Sequence, residues 1–75
     1  MGSKYPVLPP SDVIRVLRKF GFEKVSQKGS HSKFKNNSSP TKIVIIPMHD
    51  EIQKGTLKSI LQQADIDIDV FLNNL

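Results

Sequence analysis

The 75-residue chain contains no cysteine. That absence excludes a disulfide framework and a thiolate metal site. The chain also has no long apolar run, so no transmembrane segment is expected. Its opening residues, Met1 to Pro6, lack the apolar stretch of a signal peptide, and the expected compartment is the cytoplasm. There is no internal repeat and no low-complexity tract. A chain this short, without covalent staples, must rest on well-formed helices packed on a sheet, or on a partner.

Acidic residues are scarce where basic ones gather. Residues 1–49 hold nine Lys or Arg against Asp12 and Glu23, a net +7, whereas residues 50–75 are net −3. A basic half suits a polyanion or an acidic partner surface, and equally suits a solvated sheet face.

Pro6, Pro9 and Pro10 make residues 1–10 an extended arm before a single domain over 11–75. Ser11 reads as a helix N-cap with Asp12 in the first turn. Val13, Val16, Leu17 and Phe20 form one apolar helical stripe over Asp12 to Phe20, and Gly21 suits a left-handed helix end. Phe22 to Gln27 and His31 to Lys35 read as strands joined by the turn Lys28-Gly29-Ser30. Asn36 to Pro40 is a connection of turn formers, and the β-branched run Lys42 to Ile46 is a third strand ended by Pro47. Leu57, Ile60, Leu61 and Ala64 repeat the helical stripe over Lys54 to Gln63. Asp67 can cap a short terminal helix carrying Ile68, Phe71, Leu72 and Leu75.

The predicted fold is α+β. Its order is α-β-β-β-α, with a three-stranded antiparallel sheet, both helices on one face and a short C-terminal helix. This is the arrangement of double-stranded RNA-binding domains. The other sheet face is left for water or a ligand. Alternation along the strands says what that face carries. Phe34 must point to the helices, taking Ser32 with it and leaving His31, Lys33 and Lys35 outward. Val44 and Ile46 point in, leaving Ile43 and Ile45 outward. Val25 is expected inward, which places Lys24, Ser26 and Lys28 on the open face.

The segment Lys28-Gly29-Ser30-His31-Ser32-Lys33-Phe34 therefore sets a proton-transfer group among phosphate-binding lysines. Those are the minimum parts for cutting RNA, whose own 2′-OH can serve as nucleophile. The neutral His31 ring would take the 2′-OH proton as that oxygen attacks phosphorus. Lys28 and Lys33 would stabilise the phosphoryl oxygens. Gly29 would let the backbone come close, and Ser30 belongs to the same turn. His49, in the loop before the second helix, suits an RNA contact or a loop-packing role about equally. No cofactor is expected. With two histidines far apart in sequence and no cysteine, a zinc site is not expected either. Ile43 and Ile45, exposed among lysines, suit a protein partner better than a phosphate backbone.

Several short motifs occur here in one order: Phe20-Gly21-Phe22, Lys28 to Phe34, Ile46-Pro47-Met48-His49, and Gly55-Thr56-Leu57-Lys58-Ser59-Ile60-Leu61-Gln62-Gln63-Ala64. In this the chain resembles the HicA family of toxins, small mRNA interferases, over nearly all of residues 10–75. The resemblance implies a double-stranded RNA-binding-like fold and endoribonuclease cleavage of mRNA by one histidine, carried over to His31. It also implies neutralisation by a HicB-type antitoxin; the free chain is expected to be a monomer. Three departures stand out. Ser32 occupies a position where many relatives have a second histidine, Lys35-Asn36-Asn37 replaces a frequent Arg-His-Pro, and Asp65 replaces a glycine. Two rival readings remain open on the residues alone: a non-catalytic RNA-binding module of the same fold, and a protein-interaction domain using Ile43 and Ile45.

Overall fold

In the computed structural model, which describes residues 4–37 and 40–75, helix α1 spans Pro10–Lys19. It begins earlier than Ser11 predicts. Pro9 is the N-cap and no side chain caps the helix. Pro10 takes the first helical position, where its fixed φ suits the helix and its missing N–H costs nothing. Ser11 thus lies inside the first turn. Asp12 near the start and Arg18 and Lys19 near the end complement the helix dipole. The helix closes at Gly21, whose φ of +86° only glycine adopts freely. Asn36 Nδ2 donates to the Phe20 carbonyl at 2.7 Å, fastening that end to the sheet.

Strands β1 (Phe22–Lys28), β2 (His31–Asn36) and β3 (Lys42–Pro47) form an antiparallel meander in that order. The β1–β2 turn has two central residues, Gly29 and Ser30, with Gly29 at φ +60°. A positive φ at the first central position matches the right-handed twist of a hairpin. Pro47 does not stop β3 but closes it, paired with His31 on an edge strand where its missing N–H is tolerated. The β2–β3 connection expected over Asn36–Pro40 includes Ser38 and Ser39, which lie outside the described residues.

Helix α2 (Lys54–Ala64) packs against β3, and α1 packs against β1. Asp65 ends α2 in the left-handed conformation, φ +57° and ψ 44°, the place a glycine would fill without strain. Helix α3 (Ile68–Asn73) is capped by Asp67, whose carboxylate accepts the Asp69 N–H at 3.0 Å. The two longer helices cover one sheet face, as in double-stranded RNA-binding domains. Val13, Val16, Leu17, Phe22, Phe34, Val44, Ile46, Leu57, Ile60, Leu61, Ala64 and Phe71 are buried between them. Ile52 joins this core from the loop before α2. It also exchanges backbone hydrogen bonds with Leu8, at 2.6 and 3.2 Å, which straps the proline-rich arm to the domain. Leu75, expected on the apolar stripe of α3, is exposed.

Leu61 is 2 % exposed at the centre of the α2 stripe. Leu61→Ala is expected to cost about 2–5 kcal/mol, much of the stability a domain of this size has. Urea unfolding measures it. A loss under about 0.5 kcal/mol, no more than a surface substitution gives, would mean α2 is not docked by this residue.

Candidate functional site

The pairing register places each outward side chain. One row across the open face is Lys28, His31 and Pro47. The next is Ser26, Lys33 and Ile45, and the third is Glu23, Lys35 and Ile43. Residues directly opposite in antiparallel strands share a face. The reverse face carries Phe34, Val44, Ser32 and Ile46, all buried. So His31, Lys28, Lys33, Lys35, Ile43 and Ile45 lie together on the open face.

Lys24 does not join them. The β1–β2 register shifts between Lys24 and Ser26, leaving Val25 as the extra residue of a β-bulge. Before the bulge the alternation runs the other way, so Lys24 pairs with Phe34 on the helix side and Glu23 takes the open face. Lys24 Nζ donates there to Gln27 Oε1. Val25, expected inward, is 52 % exposed. It is the extra residue of the bulge on an edge strand of which Phe22 is the one buried residue. The lysine cluster is accordingly smaller than the alternation predicts and has an acidic residue at its far end.

The hairpin tip and the β3–α2 loop meet beside His31. The Met48 N–H donates to the Ser30 carbonyl at 2.6 Å. This contact brings His49 back over the sheet. Its ring lies edge-on to that of His31, with centroids 6.5 Å apart and planes at 84°. Asp50 follows in the left-handed conformation, φ 54°, with Oδ2 at 3.4 Å from His49 Nδ1. Two histidines eighteen positions apart in the sequence thus share one site. No sequence pattern carries that proximity, since it depends on a loop's path after the strand ends. Gly29 has nothing within 4 Å of where a Cβ would stand, so its requirement is the turn's φ and not crowding within the molecule.

Ser32 faces away from all of this. It is fully buried and its Oγ has no hydrogen-bond partner among the described residues. A second histidine at this position would point into the core, so its absence removes nothing from the open face. A groove of about 570 Å³ lies elsewhere, lined by Ser11, Ile14, Arg15, Arg18, Lys19 and Met48. It offers cations and apolar floor but no group suited to proton transfer near neutral pH.

The chain is thus a small α+β domain of double-stranded RNA-binding type, with a histidine pair at the edge of a cationic sheet face. The family model for the HicA toxin of bacterial toxin–antitoxin systems matches residues 10–66. The chain belongs to that family, and so to the toxin side of a toxin–antitoxin pair. Among curated proteins, none matches the chain. No helix of the described residues is long and apolar enough to cross a membrane.

The buried hydroxyl gives a direct check on the core beneath the site. Ser32→Ala is expected to raise stability by about 1 kcal/mol, because an unpaired buried hydroxyl costs about that much. A loss of more than about 1 kcal/mol on urea unfolding would show that the hydroxyl is bonded after all.

Proposed function

We propose that this protein is a metal-independent endoribonuclease that cuts mRNA, with His31 as the proton-transfer group. The observation that carries the reading is the row Lys28–His31–Pro47 with Lys33 beside it: an exposed imidazole on the central strand, flanked by two cations. His31 takes the 2′-OH proton while that oxygen attacks the adjacent phosphorus. Lys28 and Lys33 stabilise the charge that grows on the phosphoryl oxygens. Lys35, Gly29, Ser30 and His49 border the path of the strand. Family membership supports the toxin role, and cleavage of message is a means by which so small a domain can arrest growth.

The same face suits a HicB-type antitoxin. Ile43 and Ile45 are 46 % and 39 % exposed on an edge strand next to the lysine rows. A partner with apolar and acidic groups would cover them and block the substrate's path without unfolding the toxin. A purely RNA-binding role is the alternative, and it differs in not needing His31.

The decisive comparison is purified wild type against His31→Ala on one RNA, with circular dichroism as the folding control. The folded variant should lose about 10²–10⁴-fold in cleavage rate, keep most of its RNA affinity, and no longer arrest growth. The wild-type product should end in a cyclic or 3′ phosphate, and EDTA should not inhibit. A folded variant that still cuts near the wild-type rate would remove His31 from the mechanism. Binding itself is read by salt. Replacing Lys28 and Lys33 by alanine should weaken RNA affinity and flatten its salt dependence. An unchanged slope, with Lys54 and Lys58 proving important instead, would move the interface to the helical face.

A further inference from the structure

Transfer of the 2′-OH proton to His31 accounts for the attacking oxygen and leaves the departing one unprovided for. As the bond from phosphorus to the 5′ oxygen breaks, that oxygen needs a proton, since an alkoxide is a poor leaving group. We infer that His49 supplies it, as the general acid of the cleavage step. The inference rests on the ribonuclease reading above and extends it from one histidine to two.

Three features of the site support this assignment. The first is distance. The ring centroids of His31 and His49 are 6.5 Å apart. Each ring reaches about 2.6–3.2 Å to a hydrogen-bonded oxygen. Two oxygens on opposite sides of one phosphorus can therefore be served by one ring each. The second is access: the His49 side chain is 59 % exposed, and His31 beside it is exposed as well. The third is orientation. Asp50 Oδ2 sits 3.4 Å from His49 Nδ1. A carboxylate accepting from Nδ1–H fixes which ring nitrogen faces it and turns Nε2–H toward other partners. The Met48 N–H to Ser30 carbonyl bond, at 2.6 Å, holds the two loops in this relation.

The step balances. His31, neutral, accepts the 2′-OH proton, and the 2′ oxygen forms a bond to phosphorus. The bond from phosphorus to the 5′ oxygen breaks, and that oxygen takes the proton of the His49 imidazolium. The products are a 2′,3′-cyclic phosphate and a 5′-OH, with His31 now protonated and His49 neutral. Solvent exchange restores both, and no other reactant is consumed.

A leaving group that needs no proton isolates this role. The experiment uses one short RNA with a mapped cut site, made twice: once with the ordinary 5′ oxygen and once with sulfur bridging at that position. The full chain is tested as wild type, His31→Ala, His49→Ala and His49→Gln, with circular dichroism for folding. On ordinary RNA both His49 variants should slow by about 10²–10⁴-fold. On sulfur-bridged RNA most of that deficit should vanish, because a thiolate departs unprotonated, whereas His31→Ala should stay slow on both. Near-wild-type cutting of ordinary RNA by the His49 variants would overturn the assignment. An equal loss on both substrates would also overturn it, leaving His49 a binding or positioning residue. In either case a dead His31→Ala leaves the ribonuclease reading standing. A wild type that cuts neither RNA defeats both.

Discussion

The burial of Phe34 is the constraint from which the site follows. It sits at the middle of β2, the central strand, and is 1 % exposed beneath the helices. Side chains alternate along a strand, so fixing Phe34 inward fixes Ser32 inward and His31, Lys33 and Lys35 outward. A slip of one residue would reverse all five. It would expose Phe34, forfeiting about 1.5–3 kcal/mol of burial, and push two lysines into an apolar layer at several kcal/mol each. Core packing thereby selects the register that displays the histidine. The fold and the site are one commitment, made by the same strand.

The second constraint is that the edge strand β1 has little cover. Of β1, Phe22 alone is buried, so the rest of that strand owes its order to the ladder, and the exposed tip to the two-residue turn and the loop laid against it. That loop carries His49. One backbone hydrogen bond, from Met48 to Ser30, joins the turn before β2 to the segment after β3. An exposed tip gives a long polyanion room to lie across it. A partner that pairs with or covers the β3 edge would reach the same place, with Ile43 and Ile45 as its apolar footing. On the other side of that edge, Gln63 Oε1 accepts the Ile45 N–H at 3.4 Å, one of the contacts by which α2 shields the sheet.

Much of this is legible in the sequence, for identifiable reasons. The helical stripes Val13–Val16–Leu17 and Leu57–Ile60–Leu61–Ala64 are clean because those helices bury one face and solvate the other. The face of β2 is clean because Phe34 is its one apolar residue and must be buried, and the unbroken apolar run Ile43 to Ile46 of β3 is sorted into faces by strand alternation. β1 is not, because a single Val25 in a polar strand looks like a core residue and a bulge leaves no mark in composition. Ser11 resembles a cap more than Pro9 does, yet proline at the first helical position decides the start of α1. Ile52 is a lone apolar residue in a loop, with no period to betray its burial against Leu8. The nearness of His49 to His31 is tertiary in origin. The motif Pro47-Met48-His49 could mark the residue, but only the returning loop sets its partner.

The proposed seat of RNA is the open sheet face. Nuclear magnetic resonance on the isotope-labelled chain tests it most directly, by titration with a short RNA whose reactive 2′-OH is replaced by hydrogen so that it cannot be cut. Shifts are expected to concentrate on Lys28, Lys33, Lys35 and the ring of His31, spreading to His49 across the contact between the two loops. Shifts confined to α1 and α2, with the amides and the imidazole of β2 unmoved, would contradict it.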